Sequence, residues 1–225
     1  MVVVAAVVAL AWAVLAGPLL VVRAVRVQGL PAAAAPAPGG LTPDDVTAAA
    51  EVPMGGPMLR LDTAAVRRRV ADLPSVAGVD VARAWPGTIE ITVQERTPAA
   101  VVRAGSSWTL VDASGVAFAT VPRRPAGLPL LTTPTAALGA APPAPLTAAV
   151  AVVSALPKAL ASQVTQVSAQ TPDHVVLSLT RGRTVVWGDA SRPQRKALVA
   201  QALLGQSTPK VTTVDVSAPD APTTR

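Results

Sequence analysis

The chain has 225 residues, 51% of them hydrophobic, yet its only aromatics are four Trp and one Phe, so its cores must be built from Val, Leu and Ala. The absence of cysteine excludes disulfides, thiolate metal sites and Cys nucleophiles. The formal charge of +6 is spread along the chain without interleaved aromatics, which argues against a nucleic-acid surface.

Residues 2–22, VVVAAVVALAWAVLAGPLLVV, carry no charge and are about long enough to cross a bilayer. A cleaved signal peptide would open on a basic segment, and none precedes the run; Val14-Leu15-Ala16 is a weak cleavage site. An uncleaved transmembrane helix over 1–22 is the expectation. Arg23 and Arg26 follow the run, so the positive-inside rule taken literally would keep the bulk of the chain in the cytoplasm. An extracytoplasmic placement needs a basic tail upstream of Met1, and such a tail is expected.

After this run, VRAVRVQGL reads as a short strand that stops at Gly29, and residues 31–40 as a Pro/Ala/Gly loop. A helix start is marked by Thr42 as N-cap, Pro43 at the first helical position and Asp45 at the third, with Leu41 and Val46 at staple spacing. Asp44 and Asp45 suit the positive end of that helix; a pair of acid/base carboxylates is the other reading. Gly55-Gly56 breaks the chain without the Lys-Ser/Thr of a phosphate loop. A second helix starts at Asp62, with Val66, Val70 and Leu73 as one apolar stripe, and ends at Pro74. Arg67, Arg68 and Arg69 project away from most of the stripe, as a solvated face or as a contact for anionic lipid or cell-wall polymer. Residues 79–84 and 89–94 alternate about a Pro86-Gly87 turn and form a half-buried hairpin. Strand, helix, helix, strand, strand is the result, a small sheet covered on one face by two helices.

The stretch 61–102 carries Leu73-Pro74-x-Val76, then Arg83-x-Trp85-Pro86-x-Thr88-Ile89, then Glu95-Arg96-x-Pro98-x-Ala100. With the preceding element order it resembles the POTRA domain of the FtsQ/DivIB family of bacterial cell-division proteins, matched in spacing across some forty residues. The motif is expected to maintain the fold or to contact a partner: Trp85-Pro86 packs a hairpin tip, and Pro98 blocks further pairing after Glu95 and Arg96 end a strand.

Further along, SWTLVDASGVAF (107–118) reads as two short strands about Ser114-Gly115, and is similar to the start of the family's β-domain. A Ser114–His174–Asp112 triad is conceivable on spacing alone, but no Gly-x-Ser-x-Gly elbow is present. Residues 121–145 are Pro-rich and read as irregular, and 145–162 as a helix split at Pro157. Strands are expected at 164–169, 175–180 and 184–187, a helix over 192–204, and a last strand over 211–216. Arg192, Arg195 and Lys196 at the helix start could bind phosphate or simply be solvated. Residues 217–225 read as a disordered tail.

The resemblance implies an α+β chain: an N-terminal transmembrane helix (1–22), a POTRA domain (23–97), and a mostly antiparallel β-domain with helices (98–216). It implies a bitopic division scaffold with no catalytic residue, metal, cofactor, nucleic acid or small-molecule substrate. Its partners would be FtsB- and FtsL-type proteins and other divisome members at the septum, and it would help recruit and regulate septal peptidoglycan synthesis. A partner strand is expected to add to the last strand of the β-domain, taken as Val211, Thr212, Thr213, Val214, Asp215 and Val216. The alternatives are a POTRA-bearing export or assembly component, and an envelope hydrolase for which one His and three Glu offer little.

Overall fold

The computed structural model describes residues 20–31, 39–133, 142–206 and 212–225. The expected transmembrane helix therefore lies almost wholly outside the described residues, as do most of the 31–40 loop, residues 134–141 and Val211. No helix among the described residues is long and apolar enough to cross a membrane. The chain divides into two compact units, Met1–Arg96 and Thr97–Arg225.

In the first unit, β1 (Ala24–Gln28), α1 (Pro43–Ala50), a 3₁₀ turn (Met58–Arg60), α2 (Thr63–Ala71), β2 (Val76–Ala84) and β3 (Thr88–Glu95) follow in order. The sheet order is β1-β3-β2, with β1 parallel and β2 antiparallel to β3. Helix α1 starts where the sequence marks it. Thr42 Oγ1 accepts from the Asp45 amide at 3.2 Å, and Asp45 Oδ2 accepts from the Thr42 amide at 2.9 Å, a reciprocal capping box. The Thr42 hydroxyl, then its backbone, hold the Asp45 carboxyl below the usual range, so this acid serves as an ionised cap. Asp62 caps α2 one way only, accepting from the Ala65 amide at 2.9 Å.

Both helices bury their apolar stripe on one face of the sheet. Val46, Ala50, Met58, Val66, Val70, Ile89, Ile91 and Val93 form a core at most 2% exposed. Two arginines close it from the sides. Arg69 leaves the solvated face expected of the triplet and donates to Ala50 O at 2.6 Å, satisfying a carbonyl that α1 leaves orphaned at its C-terminus. Arg83, on β2, forks its guanidinium onto Met58 O (3.0 Å) and Leu61 O (2.7 Å), tying the sheet to the 3₁₀ turn. That fork is planar and two-pronged, which an ammonium cannot reproduce. Arg83→Lys is therefore expected to cost nearly as much as Arg83→Ala, about 1–2 kcal/mol each. Hydrogen exchange of the β2–β3 amides in the full chain would read it, and a Lys variant with unchanged protection would overturn it. Gly29 ends β1 at φ +86°, where a Cβ would stand 2.1 Å from Val93 O, so no other residue fits.

The second unit holds one nine-stranded sheet of order β12-β11-β10-β9-β8-β7-β4-β5-β6. Its strands are β4 (Pro98–Ala104), β5 (Ser107–Asp112), β6 (Ala117–Val121), β7 (Leu130–Thr132), β8 (Val164–Ala169), β9 (Val175–Leu179), β10 (Thr184–Gly188), β11 (Thr213–Asp215) and β12 (Thr223–Thr224). The pairings β4/β7, β7/β8 and β10/β11 are parallel, and the rest are antiparallel. Helices α3 (Ala144–Ala155), α4 (Lys158–Ala161) and α5 (Pro193–Gln206) complete it. Leu146, Ala149 and Val150 of α3 and Ala197 and Ala200 of α5 pack with Val102, Val111, Val167, Leu177, Val185 and Trp187 of the sheet. A smaller cluster of Val101, Leu110, Phe118 and Val121 occupies the other face of β4–β6. Trp108 borders it, with the Arg103 and Arg124 guanidinium carbons 5.2 and 5.9 Å from the ring centroid.

Three expectations need correction. Pro98 does not stop pairing; it is the first residue of β4, where a missing N–H costs least and the ladder with β5 shifts register. The Pro-rich stretch 121–145 contains β7, held between β4 and β8. The tail 217–225 is ordered: Thr223–Thr224 pair with β11, and Asp220 receives Arg192, just before α5, and Arg195, on its first turn.

Candidate functional site

The C-terminal end of the large sheet is the region that could receive another chain, because a sheet edge there carries unpaired backbone groups. Strand β10 leads through α5 to β11, a strand–helix–strand crossover whose register pairs Thr184 with Thr213, Val185 with Val214 and Val186 with Asp215. Val214 and Val216 point into the core and are fully buried. Thr213 and Asp215 are half-buried on the opposite face, where with Val186, Thr223 and Arg225 they line a shallow hollow of about 120 Å³.

The strand expected as the edge is therefore not the edge. After Val216, whose amide donates to Val186 O at 2.9 Å, Asp215 Oδ1 accepts from the Ser217 amide (2.9 Å) and hydroxyl (2.7 Å) and turns the chain back. Gly188 makes room for this reversal: at φ +76°, its Cβ would stand 2.8 Å from Ser217 Cβ. Strand β12 then covers β11, pairing Asp215 with Thr223 and Val214 with Thr224. Arg225 exchanges both backbone bonds with Thr213, 2.9 Å one way and 3.0 Å the other. Thr212 donates to Arg225 O at 3.0 Å, while Val211 lies outside the described residues. In an antiparallel ladder, the pair next to a hydrogen-bonded pair turns its N–H and C=O outward. The backbone groups of Thr224 therefore face away from β11, on the open edge.

Three ion pairs fix this end. Arg192 and Arg195 both reach Asp220, at 2.7 and 2.5 Å. Lys196, fully buried, bonds the Asp189 carboxylate and donates to Asp189 O at 2.9 Å. Lys196, then the Ser191 hydroxyl, pull the Asp189 carboxyl down to about 2. These three cations are thus neither a phosphate site nor a merely solvated helix face. They clasp the β10–α5 turn through Asp189 and the C-terminal segment through Asp220, a role that residue type and spacing alone do not reveal.

The motif residues of the first unit are spread out. Arg83 holds the 3₁₀ turn. Glu95 accepts from the Leu41 amide at 2.8 Å, seating the chain before α1. Arg96 donates from its side chain to Pro74 O (3.0 Å) and from its amide to Ser75 O (2.9 Å). Trp85 and Pro86 are exposed at the hairpin tip; Trp85, at 53%, does not pack it. The conceivable triad does not assemble a nucleophile: Asp112 Oδ1 accepts from the Ser114 amide (2.8 Å) and the Val116 amide (2.9 Å), a turn role, and His174 is exposed between β8 and β9.

Residues 39–96 match the family model of the FtsQ-type POTRA domain, and residues 100–217 that of the FtsQ/DivIB C-terminal region. "Cell division protein FtsQ" of Streptomyces bingchenggensis is 41% identical over 81% of this chain and 70% of its own length. The proteins of the same name from Streptomyces venezuelae and Mycolicibacterium smegmatis are 42% and 40% identical, over 81% and 92% of this chain and 69% and 58% of theirs. Among solved structures, the major extracytoplasmic domain of the trans isomer of DivIB from Geobacillus stearothermophilus aligns with a TM-score of 0.35 and 16% identity, over 51% of this chain and 99% of that one. Two adjoining family models over most of the chain, and relatives at 40–42% identity, place it in the FtsQ/DivIB family of cell-division proteins.

Proposed function

We propose that this chain is a bitopic divisome scaffold that binds FtsB- and FtsL-type partners and thereby helps recruit and regulate septal peptidoglycan synthesis. In this reading the apolar run that begins at residue 2 anchors the chain in the cell membrane, and its last residues, Val21 and Val22, already belong to the folded POTRA unit, which runs to 97 outside the cytoplasm; the β-domain follows from 98. The open edge of β12 supports it most: Thr224 presents a free backbone donor and acceptor on a strand braced by Arg192, Arg195 and Asp220. Backbone pairing there supplies affinity, and the Thr213/Asp215 face beside it supplies partner choice.

The test is crosslinked capture from dividing cells, together with a fluorescent fusion of the full chain. Small bitopic division proteins should be recovered, and the fusion should gather at septa. A fusion that stays evenly distributed over the membrane would overturn the division role, and septal fusions that capture no such partner would overturn the scaffold role.

A further inference from the structure

The described residues include four large apolar side chains that are exposed: Met54 (57%), Leu59 (41%), Trp85 (53%) and Leu198 (68%). Three of them belong to the first unit, and all three gather where the chain emerges from the apolar run. The backbone bonds show the convergence. Gly55, beside Met54, donates to Val22 O at 2.8 Å, and Val22 donates to Gly56 O at 2.9 Å. Pro57, two residues before Leu59, bridges Val21. Gly87, two residues after Trp85, accepts from the amides of Arg23 (2.7 Å) and Ala24 (3.2 Å). The Arg23 stem also lies along Gly87, where a Cβ would meet its Cγ and Cδ at 3.3 Å. Arg23 and Arg60 are exposed within the same set of loops.

We propose that this end of the first unit is a lipid-contacting face, with Trp85, Met54 and Leu59 seated in the headgroup region of the bilayer and Arg23 and Arg60 directed at anionic lipid. The inference rests on the reading of residues 2–22 as a membrane-spanning segment. That segment is what selects a bilayer as the occupant, because it ends at Val22, in direct backbone contact with the loops that carry the three side chains. A membrane surface must then lie within a few ångströms of them. Trp is the side chain best suited to that layer, with an apolar body and a polar N–H. Arg stems run along apolar surface while the guanidinium reaches headgroups. Trp85, left half-exposed by the folded unit, buries its ring at this depth.

Because the chain has no cysteine, single labels are unambiguous. The full chain would be reconstituted into phosphatidylglycerol-containing vesicles as Trp85→Cys, Met54→Cys and Ala77→Cys, each carrying an environment-sensitive fluorophore. Ala77 is exposed near the far end of β2, about 25 Å along the strand from position 85. Spin-labelled lipids with the label near the headgroups should quench positions 85 and 54 at least about twofold more than position 77, with blue-shifted emission. Met54→Cys leaves Trp85 in place, so the two labels test the face independently. Equal quenching at all three positions, in chain that resists alkaline extraction from the vesicles, overturns the lipid face and leaves the anchor standing. Loss of the chain on alkaline extraction overturns the anchor, and the lipid face with it.

Discussion

Lys196→Ala is expected to destabilise the second unit by about 2–4 kcal/mol, a large loss for one exchange on a helix. The side chain is fully buried, and its ammonium holds both the carboxylate and the carbonyl of Asp189. Truncation removes two charge-assisted bonds, leaves a void where three methylenes and the ammonium stood, and frees the turn that leads from β10 into α5. The loss falls short of that for a wholly buried pair because the Asp189 side chain is 52% exposed and rehydrates. Lys196→Met keeps most of the volume and should lose roughly half as much, which separates the polar part from the packing part. The readout is denaturant unfolding of the full chain with Trp12, Trp85 and Trp108 replaced by Phe, followed by the fluorescence of Trp187, fully buried in this unit. A shift under about 0.5 kcal/mol for the Ala variant would mean that the pair is only a surface contact.

The same pair gives a signed pH dependence. The folded-state carboxyl of Asp189 lies near 2, below its ordinary value of 3.8. A depressed folded value means stability that is fully present above the unfolded value and is lost as the pH falls through the folded one. The gap in unfolding midpoint between the natural chain and Asp189→Asn should hold steady from neutral pH to about 5 and then close between about 4 and 2. A gap that instead widens toward acid would contradict the assignment of Lys196 as the partner.

What could be read from the sequence was what is local. The capping box at Thr42–Asp45 is written in four consecutive residues and appears as written. The β2–β3 hairpin and the break at Pro157 are likewise short-range features. Features set by distant contacts were hidden. Arg69 looked like one of three solvated arginines, yet its partner is a helix end 19 residues away. Lys196 looked like a solvated cation, and burial depends on how α5 lies on the sheet. Strand β7 has three residues, too few for alternation to register, and exists because β4 and β8 flank it. The tail was harder still. Pro, Thr and Ala in a terminal segment carry no strand signal. Order comes from Asp220, which binds arginines 25 and 28 residues back, and from Pro219, which is buried. Trp85 failed in the other direction: an aromatic at a hairpin tip reads as packing, but none of the core closes over it.

Because β12 covers β11, the partner strand proposed above would have two ways to dock, and Thr224→Pro tells them apart. The outward N–H of Thr224 is the donor a strand added to β12 would need, and proline removes it without taking a bond from the β11 ladder. Thr223 before it is already extended, as a residue preceding proline prefers. Stability should therefore change by less than about 1 kcal/mol, while capture of FtsB- and FtsL-type partners should fall by about tenfold or more. Thr223→Pro acts differently: its N–H belongs to the pair with Asp215, so the exchange should detach β12 and bare the β11 edge. Truncation after Val216 does the same more completely, and also strips Asp220 from Arg192 and Arg195. If partners add to β12, all three variants lose capture. If partners displace β12 and pair with β11 directly, Thr224→Pro is silent and truncation keeps or raises capture, because the competing strand is gone. The second pattern would turn the C-terminal segment from a docking strand into a removable cover, with the arginine clasp on Asp220 setting how readily it leaves.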